Sequence, residues 1–158
     1  MTRPLAYTIR RAELSDRDAL TDLCMRSKQS NGYDDAFMAM CTGELRVRDS
    51  WILDDDFWLA ETEEGALVGC IRLSTGTDGV TGELETCFVD PDRQGQRIGQ
   101  RLFDALHGRA RDLGLTRIGL DADPFAEPFY ARMGFETVGR TPSGSIPGRT
   151  LPRMQMAL

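Results

Sequence analysis

The residues best suited to chemistry lie in one run, Val89-Asp90-Pro91-Asp92-Arg93-Gln94-Gly95-Gln96-Arg97-Ile98-Gly99-Gln100-Arg101-Leu102. Asp90-Pro91 ends a strand, a polar turn carrying Gly95 follows, and a helix starts at about Ile98. The first turn of a helix has N–H groups without partners and the positive end of the helix dipole, so this turn is a cradle for phosphate. Charge supports it: residues 93–111 hold five arginines (93, 97, 101, 109 and 111) against the single acid Asp104, a net +4 inside a chain of −6. The competing reading is an ordinary strand-to-helix turn with a solvated arginine face. Two other phosphate loops are excluded, since neither GxxxxGK[ST] nor GxGxxG occurs here. Further along, Tyr130 offers a phenol, and Glu83 and Glu85 offer carboxylates two residues apart on a strand, which alternation turns to one face. These groups can move protons. The alternatives are a core aromatic and a solvated strand face.

The elements that must position these groups follow from periodicity and breakers. Tyr7 to Arg11 reads as a strand, and Ser15 with Asp18 reads as a capping box opening a helix whose buried stripe is Leu20, Leu23, Cys24 and Ser27. Asn31-Gly32 stops it, and a second helix begins near Asp34-Asp35. Phe57 to Glu61 and Ala66 to Ser74 form a hairpin about Glu64-Gly65, and Glu83 to Val89 is a longer strand after the Asp78-Gly79 turn. A helix follows from Ile98 to Leu113, with core positions Ile98, Leu102, Ala105, Leu106, Ala110 and Leu113 and a stop at Gly114. Arg117 to Asp121 is a strand, Ala126 to Met133 a short helix, Phe135 to Gly139 a strand, and Arg153 to Leu158 the last strand beyond a loop from Thr141 to Pro152. This order predicts an α/β (α+β mixed) fold, with a mixed sheet of six to seven strands flanked by about four helices in one domain, residues 1–158.

Composition narrows the classes. The chain has 158 residues, 41% hydrophobic and 28% charged, enough for one full core without a metal or disulfide staple. A net charge of −6 argues against a nucleic-acid binder. No signal-peptide core and no run of about 20 apolar residues is present, so no membrane partner is expected and the location read is cytoplasmic. Cys24, Cys41, Cys70 and Cys87 are widely spaced, with His107 the sole histidine. That pattern predicts reduced, buried thiols and no metal site.

At this point a resemblance becomes specific. Glu85-Thr86-Cys87-Phe88-Val89-Asp90-Pro91 with Gln94-Gly95-Gln96-Arg97-Ile98-Gly99 resembles the strand and pyrophosphate loop of the GNAT acetyltransferase superfamily. Ala126-Glu127-Pro128-Phe129-Tyr130-Ala131-Arg132-Met133-Gly134-Phe135-Glu136 resembles that superfamily's second signature, a Tyr-bearing helix ending in Gly-Phe. The resemblance covers nearly the whole chain. It implies an N-acetyltransferase with acetyl-CoA as donor, and a central, mostly antiparallel sheet splayed at the donor site. Amides of Gln94, Gly95, Gln96, Arg97, Ile98 and Gly99, with Gln100, would hold the pyrophosphate, and the main chain of Cys87, Phe88 and Val89 would pair with the pantetheine arm. Tyr130 stands where many members place the acid that protonates the departing thiolate. Two positions depart from the pattern: Arg97 replaces the commonest Gly of the loop, and Asp123 stands where Asn is frequent.

Acetyl transfer to an amine needs a proton for the leaving sulfur and a base for the ammonium. A phenol can supply the first, and Glu85, with Glu83, can accept the second through water. A covalent role for Cys87 is a minor alternative. On the acceptor side the resemblance makes Tyr33, Phe37 and Met38 substrate contacts, although core packing also explains Phe37 and Met38. Arg149, in the Ser/Pro/Gly-rich loop, could grip a carboxylate; a structural Ω-loop is the alternative. Seven acids between residues 49 and 64 read as a solvated loop and turn rather than a lure for cations. The acceptor expected is a small-molecule or protein amine, and a homodimer is compatible with the resemblance. A silent acyl-CoA-binding or sensing module is the alternative function.

Overall fold

The computed structural model describes residues 6–93 and 95–158. Seven strands form one sheet: β1 (Tyr7–Arg11), β2 (Asp56–Thr62), β3 (Leu67–Thr75), β4 (Thr81–Val89), β5 (Arg117–Asp121), β6 (Glu136–Pro142) and β7 (Thr150–Ala157). Their order is β1-β2-β3-β4-β5-β7-β6. Every neighbouring pair is antiparallel except β4 and β5. Helices α1 (Arg17–Gln29), α2 (Asp35–Leu45) and α3 (Asp49–Asp54) precede β2, whereas α4 (Ile98–Asp112) connects β4 to β5 and α5 (Glu127–Met133) connects β5 to β6.

Two apolar clusters sandwich the sheet. Ile98, Leu102, Leu106 and Ala110 of α4 pack with Ile71, Leu73, Ile118 and Leu120, while Leu20, Leu23 and Met38 of α1 and α2 pack with Phe57, Leu59 and Cys70. The stripe on α4 follows the expected i, i+4, i+8 spacing, with Ala105 and Leu113 at its rim. Gly114, at φ 76°, ends the helix in the left-handed conformation that glycine adopts without strain.

The elements differ from the sequence reading at three places. The first helix is capped earlier: the Glu13 N–H donates to Asp16 Oδ2 at 2.8 Å, not Ser15 to Asp18. Arg10 fixes this cap by donating to both Asp16 oxygens at 2.8 and 3.0 Å. The acidic stretch is not a solvated loop. It contains α3, and Asp49, Asp55, Asp56 and Glu61 pair with Arg17, Arg72, Arg11 and Arg10 at 2.7–2.8 Å. Partners supplied from other strands and helices are invisible to a local charge count. The loop after β6 is shorter than expected, because β6 runs to Pro142 and β7 starts at Thr150. Pro142 is tolerated there as the last residue of an edge strand.

The parallel pair β4/β5 shapes the site. It holds only over Thr81–Glu83 against Arg117–Gly119, after which the strands separate. From Leu84 onward the β5-facing edge of β4 has no strand beside it, so a slit opens in the middle of the sheet.

Candidate active site

The slit widens into a cavity of about 720 Å³, bordered by β4 residues Glu85–Val89, the turn at 95–97, the start of α4, and Asp123, Phe129 and Tyr130. Hydrogen-bond alternation decides which β4 groups face it. The Asp90 N–H donates to Val68 O, and Asp90 sits opposite Val68 by continuation of the Gly69–Val89 register. Every second residue back from Asp90 therefore faces β3, and Cys87 and Val89 face the slit. Phe88 does not present its main chain to the cavity as expected; its N–H and C=O belong to the β3 ladder. The Val89 carbonyl is also taken, by Ser27 Oγ at 2.9 Å. The Val89 N–H and both main-chain groups of Cys87 remain for a ligand.

Helix geometry leaves Ile98, Gly99 and Gln100 N–H without helical acceptors, since the first bond inside α4 runs from Arg101 N–H to Arg97 O at 3.0 Å. Gly95 has φ 82° and Arg97 φ 61°, ψ 20°. Arg97 is the single non-glycine at positive φ among the described residues, which explains physically why glycine suits this position. Gly99 serves a different contact from the one expected: a Cβ there would lie 3.0 Å from the Phe129 ring, so it lets α4 approach α5. The Gln100 side chain is engaged with Asp104 at 2.9 Å, leaving its main-chain N–H for the turn. Gln94 lies outside the described residues. Gln96 Oε1 is buried and has no hydrogen-bond partner among the described residues, a state that costs about 1–3 kcal/mol unless a donor meets it.

Tyr130 is 6% exposed, clamped edge-on by Phe129 and Phe135 with ring centroids 5.3 and 5.9 Å away. Burial, with the Cys87 thiol beside it, pushes its pKa well above the ordinary tyrosine value, so the phenol keeps its proton at neutral pH. Burial likewise pushes Cys87 up to about 11. A thiol held protonated is a poor nucleophile, which weighs against the covalent role.

Glu83 and Glu85 border the same small cavity on the sheet surface, but they are not equivalent. Arg72 pairs with Thr86 and Leu73 with Leu84, so Glu85 is the extra residue of a β-bulge. It is exposed to solvent and, among the described residues, its side chain accepts one bond, from Ser74 Oγ at 2.9 Å. Glu83 is held by both terminal guanidinium nitrogens of Arg153, Nη1 and Nη2. The structure leaves Glu85 available and fixes Glu83, correcting the expectation that the two share the work.

The acceptor-side residues divide in the same way. Met38 is 4% exposed, in the core with Leu20 and Leu23, and it does not meet a substrate as expected. Tyr33 and Phe37 stack at 4.1 Å, 9° from parallel. The Tyr33 hydroxyl donates to Asp123 at 3.0 Å and accepts from Arg149 Nη2 at 2.6 Å. Burial and Asp123 raise its pKa to about 12. Lys28 Nζ reaches Asp123 at 3.2 Å, and Arg149 reaches it at 3.7 Å. Asp123 is thus the hub of a cluster spanning α1, α2, the start of α5 and the β6–β7 loop. Sequence reading marked Asp123 as a departure but had no signal for Lys28, because the pair is 95 residues apart. Among the described residues no group of three or more His, Cys, Asp or Glu is placed to hold a metal, and no helix is long and apolar enough to cross a membrane.

Residues 19–135 match the family model described as Acetyltransferase (GNAT) family. The chain is 32% identical over 136 residues to the amino-acid acetyltransferase of Mycobacterium tuberculosis, covering 85% of this chain and 71% of that one. Its fold is similar to a GCN5-related N-acetyltransferase from Rhodopseudomonas palustris, with TM-score 0.80, 20% identity, and 100% and 99% of the two chains covered. It is also similar to the PaiA N-acetyltransferase of Thermoplasma acidophilum, solved with coenzyme A, with TM-score 0.76, 19% identity, and 98% and 100% covered. A mostly antiparallel sheet opened between its one parallel pair, a turn at the slit that leaves helix N–H groups without helical acceptors, and a family match over residues 19–135 lead to one conclusion: this protein belongs to the GNAT family of acetyltransferases.

Proposed function

We propose that residues 1–158 act as one N-acetyltransferase domain, transferring the acetyl group of acetyl-CoA directly to a primary amine while both substrates are bound. The observation that carries this reading is the β4 slit, with free main-chain groups at Cys87 and Val89, a helix N-terminus at one end and the buried Tyr130 phenol along its wall. The unpartnered Gln96 Oε1 on the same cavity is a further fit to a ligand rich in donors. Acetyl-CoA supplies an activated thioester.

The chain's residues have distinct tasks. N–H groups of Gly95 to Gln100 bind pyrophosphate oxygens, aided by the surrounding arginines. The N–H groups of Cys87 and Val89 orient the acyl arm and can polarise its carbonyl as negative charge develops. Tyr130 holds a proton at its hydroxyl and delivers it to the departing sulfur. Glu85 takes the ammonium proton through water, since its carboxylate is open to solvent. Phe129 and Phe135 keep water from the phenol.

For the acceptor we favour a primary amine that also carries a carboxylate. Lys28 and Arg149 share the single carboxylate of Asp123 beside the cleft, leaving a positive excess, and the Mycobacterium tuberculosis relative is named for amino acids. We place the reaction in the cytoplasm, with neither nucleic acid nor a bilayer as partner; the net charge of −6 supports that reading. A silent acyl-CoA sensor would need the turn but not a protonated phenol held beside the slit.

Thermal unfolding with acetyl-CoA, ATP and NAD in parallel tests the donor. Acetyl-CoA at about 100 times its dissociation constant adds about 2.7 kcal/mol and raises Tm by several degrees. No rise at millimolar acetyl-CoA, or an equal rise with ATP, overturns the reading. Thiol release on a panel of amino acids, simple amines and lysine peptides then tests the acceptor, and turnover confined to amines lacking a carboxylate overturns that part.

A further inference from the structure

The edge strand β1 reaches the phosphate-type turn with one side chain. Tyr7 Oη donates to the Gln96 carbonyl at 3.0 Å, across 89 residues of sequence. The Arg101 guanidinium lies 5.2 Å from the centre of the Tyr7 ring. Tyr7 is half-buried against the α4-side core, so its ring is held in place while its hydroxyl points at the turn.

The bonded carbonyl matters for two reasons. A trans peptide points its C=O and the following N–H in opposite directions. Holding Gln96 C=O toward Tyr7 therefore turns the Arg97 N–H away from Tyr7, and Gln96 and Arg97 both border the cavity. Gln96 is also the residue four before Gln100, so its carbonyl is the acceptor that would take the Gln100 N–H if α4 began one residue earlier. Tyr7 occupies that carbonyl. Arg97, at φ 61°, breaks the helix at the same point in a conformation that disfavours any residue with a Cβ. A strained turn keeps one shape only when its surroundings hold it, and Tyr7 is the side chain outside the turn and α4 that bonds its main chain among the described residues.

We propose that Tyr7 is a positioning residue for the donor: its hydroxyl pins the Gln96 carbonyl so that the Arg97 and Gln100 N–H groups stay available to the pyrophosphate, and its ring seats Arg101 beside them. The proposal rests on reading this turn as the pyrophosphate site.

The test compares wild type with Tyr7→Phe, which keeps the ring and removes the hydroxyl, and with Tyr7→Leu, which removes both. Dissociation constants are measured by calorimetry for CoA, for 3′-phosphoadenosine 5′-diphosphate, which has the diphosphate without the pantetheine arm, and by competition for S-acetylpantetheine, which has the arm without the diphosphate. Tyr7→Phe weakens CoA and the diphosphate by about threefold to tenfold, the value of one neutral hydrogen bond. Tyr7→Leu weakens both further, and S-acetylpantetheine is unchanged. The ratio of diphosphate to S-acetylpantetheine affinity is taken within each preparation, so a lower folded fraction cancels. Unchanged CoA affinity in Tyr7→Phe overturns the proposal, and so does an equal loss for S-acetylpantetheine, which marks general damage to the cleft. Failure of wild type to bind either CoA or the diphosphate overturns the reading of the turn itself.

Discussion

Where the cleft meets α4, its border is one continuous stretch, residues 95–100, in which the N–H groups of Ile98, Gly99 and Gln100 have no helical acceptors. On the side of α1 and the start of α5, Lys28 and Asp123 border it and belong to a cluster of side chains joined across long gaps: Tyr33 to Asp123 over 90 residues and Arg149 to Tyr33 over 116. The difference has a chemical logic. A pyrophosphate presents the same oxygens whatever the acceptor, and main-chain donors serve it with little dependence on side-chain identity. On the function proposed above, an acceptor varies in shape and charge, and its side of the cleft is made from side chains that substitution can change without altering the sheet. Tyr130 stands between the two regions.

Tyr130→Phe separates chemistry from donor binding most sharply. Turnover is expected to fall by about 10²- to 10⁴-fold, the range of a lost general acid, with CoA affinity unchanged. Because burial raises the phenol's pKa, wild type keeps its acid through neutral pH and the alkaline limb of kcat lies above pH 10. Raised folded-state values mean that stability is complete below the unfolded pKa values and declines as pH rises through the folded ones. Tyr33, Cys87 and Tyr130 thus place a fall in Tm above about pH 9, to be followed by calorimetry between pH 8 and 11. A kcat limb near pH 7, or turnover intact in the variant, means that another group donates the proton.

Asp123→Ala tests whether the acceptor side is independent of the donor side. It leaves Lys28 and Arg149 facing each other without their carboxylate, and denaturant unfolding should show a loss of about 2–3 kcal/mol. Acceptor KM should change and CoA affinity should stay within about twofold. An equal loss for CoA would merge the two regions into one.

Glu85→Gln has the smallest expected effect, about tenfold at pH 6 and less at pH 9, because the amine increasingly arrives deprotonated as pH rises. A loss of constant size across pH would assign Glu85 to the geometry of the bulge rather than to proton transfer. Ser74→Ala, which removes its one hydrogen-bond donor, serves as the comparison.

Much of the donor side was legible in the sequence because it is local. Asp90-Pro91 ended the strand where the structure ends it, the stripe from Ile98 to Ala110 named the buried face of α4, and the Gly-bearing turn lay between them. The acceptor side was legible only as residue types. Tyr33, Phe37 and Arg149 were singled out, and the structure brings all three together, but around Asp123 rather than as free contacts. Met38 read as a contact and is core, because an apolar residue on a short helix carries no local mark of which neighbour covers it.

The sequence alone determined the order of the strands, every α-helix but α3, and the Gly-bearing turn between β4 and α4. Capping, glycine conformation and hydrophobic period act over a few residues, and their energies are set by near neighbours in the chain. Tertiary structure decided which main-chain groups of β4 face the slit, that Glu85 sits in a bulge while Glu83 is held by Arg153, that Asp123 gathers Lys28, Tyr33 and Arg149, and that Tyr7 meets Gln96. Those outcomes depend on strand register and on which distant side chains arrive together; a shift of one residue in the register of β4 alone would exchange which of its groups face the slit.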